Sequence, residues 1–128
     1  MRIEHVAFTV EDPRAAADWY IAHMGMKVVR SGGAPVHARF LVDSEGCTML
    51  EIYNNPKVSV PNYRRMDPLL LHVAFTCQDV EAERDRLLAA GCTLVDDVVT
   101  IETGDTMAML RDPWGVPIQL MKRSRPMV

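Results

Sequence analysis

Short apolar runs, most of them alternating with small or polar residues, recur along the chain, with turn residues between them. This is the pattern of strands half-buried on a sheet. It predicts strands at 3–10, 26–30, 37–43 and 47–53, and again at 70–77, 92–95, 106–111 and 117–122. Helices are expected over about 13–24 and 80–90, each between the first and second strand of its set. Asp12 suits an N-cap, with Pro13 at the first helical position, where a missing N–H costs nothing. Asp79 opens the second helix in the same way. Gly25 and Gly91 suit the left-handed position that ends a helix.

The two sets are copies of one unit. Residues 5–9 read HVAFT and so do residues 72–76. Each copy leads to an aspartate-capped helix, then to a glycine turn, and then to an apolar strand. The turn and strand are 43–46 and MLEIY at 49–53 in the first half, and 112–115 and PIQLM at 117–121 in the second. Four landmarks in one order point to tandem duplication. The expected fold is α+β: a single domain over residues 1–128, made of two tandem βαβββ modules. Module one covers about 1–55, an ordered proline-bearing connection about 54–69, and module two about 70–122.

Alternation then assigns faces. Phe8 and Phe75 mark the bulky face of the first strand in each module, which should pack under the helix. His5 and His72 take the opposite face. In the last strand of each module, Leu50 with Ile52 and Ile118 with Leu120 should also face the helix, so Glu51 and Gln119 point the same way as the histidines. Four polar residues are thus expected mid-strand, where an unpaired buried polar group costs roughly 1–3 kcal/mol. One divalent first-row metal ion would satisfy two imidazoles, a carboxylate and an amide together.

Composition narrows the partners. With 14 Lys+Arg against 17 Asp+Glu, the net charge is −3. Nothing in that balance calls for nucleic acid, and no run approaches the ~20 apolar residues of a membrane span. The chain opens directly into a strand pattern without a signal peptide. Cys47, Cys77 and Cys92 form neither a disulfide framework nor a zinc ribbon, and read as buried reduced thiols of a cytoplasmic protein.

On the His5, Glu51 and His72 strands, and on the Asp112–Gly115 turn before Gln119, the chain resembles the vicinal oxygen chelate superfamily. That superfamily includes glyoxalase I, bleomycin-resistance proteins and extradiol dioxygenases. The resemblance covers almost the whole chain and implies a cupped mixed sheet of eight strands. It also implies metal ligands at His5, Glu51, His72 and Gln119. Small bacterial glyoxalase I enzymes are similar in layout but carry Glu where this chain has Gln119, and methylmalonyl-CoA epimerases resemble a version with the modules exchanged. Extradiol dioxygenases use a late Glu for iron, again at the Gln119 position. Asn55 matches a glutathione-contacting asparagine, whereas Thr9 stands where glyoxalase I typically has arginine, so glutathione remains open. Nickel, zinc, cobalt, manganese and iron are not distinguished.

The implied activity is that of a metal-dependent glyoxalase-like lyase or isomerase, moving a proton next to a carbonyl of a small chelating substrate. Glu51 would serve as general base. The alternatives are a metal-free binding or resistance protein, and an atypical ring-cleaving dioxygenase. Arg39 and His37 are expected to face the cup if Phe40 and Val42 pack under the helix, which would make them substrate contacts together with Tyr53 and Asn55. A solvated rim arginine is the plainer reading of Arg39. His23 reads as a packed histidine, and Arg64, Arg65 and the basic tail Lys122, Arg123 and Arg125 as solvated. A homodimer is expected, because short chains of this family often pair.

Overall fold

A computed structural model describes residues 1–127. It divides into two compact units, one over Met1–Pro61 and one from Asn62 onward. In the first, the elements are β1 (Val6–Thr9), α1 (Pro13–Met24), β2 (Lys27–Ser31), β3 (Arg39–Val42) and β4 (Met49–Tyr53). The second opens with a short 3-10 helix (Tyr63–Arg65). It continues with β5 (Val73–Thr76), α2 (Val80–Ala89), β6 (Thr93–Thr100), β7 (Thr106–Arg111) and β8 (Pro117–Lys122). Each unit is a four-stranded sheet, in the orders β1-β4-β3-β2 and β5-β8-β7-β6. In both, the first strand runs parallel to the last and every other pairing is antiparallel. The α+β fold of two βαβββ modules is therefore present.

The helices begin and end as their caps dictate. The Asp12 carboxylate accepts from the amides of Arg14 and Ala15, and that of Asp79 from Ala82. Gly25 ends α1 in the left-handed region, at φ 67°. Burial follows the alternation. Phe8, Val10, Leu41, Leu50 and Ile52 join Ala16, Ala17 and Tyr20 of α1 in the core of module one. Leu110, Ile118 and Leu120 join Val80 and Leu87 of α2 in module two.

Several expectations need correction. β1 and β5 begin later than their apolar patterns suggested, so His5 and His72 each stand one residue before a strand and are exposed. The burial cost invoked for mid-strand polar groups therefore applies only to Glu51 and Gln119. β6 runs to Thr100, because Asp96, Val99 and Thr100 extend its pairing with β7 past the expected end at 95. Cys47 is exposed, and only Cys92 is fully buried; burial pushes its thiol up to about 12.

Two basic groups read as solvated are structural. Arg64 donates to the Pro113 carbonyl and packs on the Asp112–Gly115 turn. A Cβ added at Gly115 would lie 2.6 Å from Arg64 Cγ. Arg123 donates to Asp105 at 2.8 Å, and the Ser124 amide donates to the same carboxylate at 2.8 Å. The tail after β8 is thereby tied to the turn before β7. His23 packs its ring 5.2 Å from that of Trp19.

Candidate metal and substrate site

In module one, β4 lies between β1 and β3, so its side chains face neighbours on both sides. Directly paired residues share a sheet face. Ala7, Glu51 and Phe40 are paired in sequence across β1, β4 and β3, and Phe40 is paired with Arg30 of β2. These four residues form one row on the face away from α1. Leu50, Ile52, Leu41 and Arg39 take the helix face.

His5 completes that face from just outside β1. Its ring meets Phe40 edge-on, with centroids 5.4 Å apart. Its Nδ1 bonds the Glu4 carboxylate, and its Nε2 stands 3.3 Å from Glu51 Oε2. With Nδ1–H donating to Glu4, Nε2 turns a lone pair toward a carboxylate oxygen. Two acceptors that close repel unless a proton or a metal cation lies between them. The hydrogen bond to Glu4 raises the His5 pKa above its ordinary value. Partial burial opposes the rise, and the charges of Glu4 and Glu51 add to it. The spacing suits a metal as well. Two donors ~2.1 Å from one ion, at an angle of about 100°, stand ~3.2 Å apart. A carboxylate on the far nitrogen is also the usual orienting partner of a ligating histidine.

Module two repeats the plan with different chemistry. The His72 Nδ1–H donates to the Pro68 carbonyl at 3.1 Å, which leaves Nε2 with its lone pair. Gln119 is paired with Ala74 and Met109. Its amide nitrogen donates to Met107 Sδ at 3.6 Å, so the carbonyl oxygen is the atom left for a cation. The sequence offset between histidine and row is the same in both modules. His5 lies two residues before Ala7, and His72 two before Ala74. Among the described residues, no three His, Cys, Asp or Glu side chains are grouped as a metal ion would require. Module one supplies one close pair, His5 with Glu51.

The other candidates divide. Tyr53 shares the Glu51 face, two residues along β4. Asn55 accepts from the Lys57 amide at 3.0 Å, closing a local turn. The premise placing Arg39 in the cup fails, because Phe40, not Leu41, is on the Glu51 face. One guanidinium nitrogen of Arg39 donates to the carbonyls of Gly32, His37 and Ala38 at 3.0–3.1 Å. This holds the β2–β3 loop, in which His37 takes a left-handed φ of 51°. Sequence reasoning missed Glu4, Phe40 and Arg30. Glu4 was legible as the neighbour of His5. Arg30 was hidden by an irregularity in the β2–β3 pairing between Val28 and Arg30, which breaks the alternation used to assign faces.

The family model "Glyoxalase/Bleomycin resistance protein/Dioxygenase superfamily" matches residues 2–120. The chain belongs to this superfamily. Among solved structures it is similar to SMU.1112c, with 30% identity, 95% of this chain and 98% of that one covered, and a TM-score of 0.73. A glyoxalase I variant from Zea mays matches at 22% identity and TM-score 0.76, over 97% of this chain and 46% of the maize chain. TnmS3, an antibiotic binding protein from Streptomyces sp. CB03234, matches at 24% identity and TM-score 0.72, over 97% and 99%. The last two likenesses show the fold alone. Comparison with curated proteins gives no match. No helix among the described residues is long and apolar enough to cross a membrane.

Proposed function

We propose that the chain is a metal-dependent lyase or isomerase that moves a proton next to the carbonyl of a small chelating substrate. The observation that carries this reading is the His5–Glu51 pair. An imidazole nitrogen and a carboxylate oxygen stand 3.3 Å apart on an open sheet face, with Glu4 orienting the ring from behind. The ligand set is His5 and Glu51 from module one with His72 and Gln119 from module two. When bound, a divalent metal supplies positive charge to neighbouring substrate oxygens. Glu51 accepts the proton, since it is the one group of the four that can act as a carboxylate base. Gln119 coordinates through its carbonyl and takes no proton at neutral pH, so transfer happens on the Glu51 side alone.

Elemental analysis of protein purified without chelators tests this directly. About one divalent metal ion per His5/Glu51/His72/Gln119 set is expected. It should be lost when His5→Ala and His72→Ala are combined, and unchanged metal content in that double variant overturns the ligand set. A second reading, a metal-free binding protein, is favoured by the likeness to TnmS3. Full-strength ligand binding after metal removal would select it.

The protein is further proposed to be a homodimer. β1 and β5 each pair on one side only within their sheets, and such edges need covering. Light scattering at micromolar concentration should give twice the chain mass, and a single-chain mass contradicts the dimer.

A further inference from the structure

We infer that Arg30 is the specificity-determining residue of the module-one face, and that the substrate carries a second, anionic group distant from its chelating end. The inference rests on the proposed chelation at His5 and Glu51 for the position of the first end only.

Arg30 and Glu51 sit in one row, on β2 and β4, with Phe40 of β3 between them. Strands two apart are about 10 Å apart at the backbone. A concavity of about 330 Å³ opens on this face, lined by Glu4, His5, Val29, Arg30, Phe40 and Met49. It therefore has polar groups at its two ends and an apolar floor of Phe40 and Met49. Of the charged groups lining it, Glu4 is bonded to His5, whereas the Arg30 side chain makes no hydrogen bond or ion pair among the described residues. The guanidinium is thus the one charged side-chain group of the concavity without a bonded partner among the described residues, and its planar fork matches a carboxylate or a phosphate-type group bidentately.

The pairing irregularity at Val29 is what puts it there. Regular alternation from Val28 onward would place Arg30 on the helix face. With Val29 unpaired, Arg30 instead stands opposite Phe40. Arg39 is excluded from this role by its face and by its bonds to the loop carbonyls. Lys27 shares the face, opposite Val42, but does not line the concavity.

Two α-keto acids of equal chain length test this. α-Ketoadipate has a distal carboxylate and α-ketocaproate a methyl in its place. Both are titrated calorimetrically into nickel-supplemented protein and into the same protein stripped with a chelator. Wild type should bind α-ketoadipate about tenfold tighter, as expected for one hydrogen-bonded charge pair. Arg30→Ala should bring the two acids to within about twofold, chiefly by weakening α-ketoadipate, while Lys27→Ala keeps the preference. Equal binding by wild type, a preference that survives Arg30→Ala, or one lost in Lys27→Ala instead overturns the inference. Binding of α-ketocaproate that ignores nickel overturns the chelation reading alone. The role of Arg30 is then decided on stripped protein, upheld by a preference for α-ketoadipate that Arg30→Ala removes and overturned by none. An analogue with a distal phosphonate identifies the anion: tighter binding than α-ketoadipate assigns a phosphate-type group, weaker binding a carboxylate.

Discussion

The two modules share strand order, capping and registry, and differ in what their open faces carry. In module one the row across the sheet reads Ala7, Glu51, Phe40, Arg30; in module two it reads Ala74, Gln119, Met109, Asp96. A carboxylate has become an amide, an aromatic ring a methionine, and a cation an anion. Met109 and Met121 are 5% and 6% exposed, so apolar side chains fill much of the module-two face. In module one, Met49, Glu51 and Tyr53 are all only half-buried. Duplication preserves the backbone because its hydrogen bonding does not depend on which side chains stand on the open face. It leaves those side chains free to diverge, so that a carboxylate stands at position 51 and an amide at the matching position 119.

The strongest way to break that division is to exchange its chemistry. Glu51→Gln gives module one the amide of module two. Exchange of the α-proton of an α-hydroxyketone with deuterated water, followed by NMR, should slow by ~10²–10⁴-fold, while metal content is largely kept. Gln119→Glu, the reverse exchange, should change it by less than about tenfold, because it adds a carboxylate without removing the base. If both substitutions have equal effects, or if Glu51→Gln leaves exchange intact, the division of labour is wrong.

The repeat itself was legible because its landmarks are local. Aspartate caps, glycines at helix ends and the paired HVAFT runs each act over a few residues. The faces of β4 and β8 were legible too, since Leu50, Ile52, Ile118 and Leu120 leave Glu51 and Gln119 one side only. Three other features were not. The starts of β1 and β5 depend on where pairing with β4 and β8 begins, so His5 and His72 read as strand residues although they precede the strands. The face of β3 was ambiguous because Phe40, Leu41 and Val42 are all apolar, and registry with β4 decided it. Arg30 depended on an unpaired residue in β2, for which Val28-Val29 gives no sequence signal.

A smaller effect separates the matching turn glycines. Gly46 and Gly115 both have left-handed backbones, at φ 74° and 91°. Nothing lies within 4 Å of a Cβ added at Gly46, whereas one at Gly115 meets Arg64 Cγ at 2.6 Å and the Arg64 backbone nitrogen at 3.1 Å. Gly46→Ala should cost about 1 kcal/mol, from backbone strain alone. Gly115→Ala should cost about 2–4 kcal/mol, because the docked 3-10 helix must also shift. Urea unfolding of the two variants measures the difference, and equal losses would mean that the docking of Arg64 adds nothing.

The smallest effect concerns the tail tether. Asp105 accepts from the Ser124 amide, from Arg123 and from the Ser124 hydroxyl. These bonds, the Ser124 amide first, hold its carboxyl down from 3.8 to about 2. A carboxylate whose pKa is lowered by folding stabilises the fold fully above its unfolded value. That contribution is lost as pH falls through the folded value, so the window runs from about pH 4 to about pH 2. Module two should therefore loosen at its tail over this range, and the Ser124 amide resonance should report it, moving with an apparent pKa near the folded value of Asp105. Asp105→Asn removes the titrating group and should flatten the acid limb of stability in that window. It should leave the Asp12 and Asp79 helix caps untouched, because neither belongs to this cluster. An unaltered acid limb in Asp105→Asn would mean that the tether contributes no pH dependence and that acid sensitivity lies elsewhere in the chain.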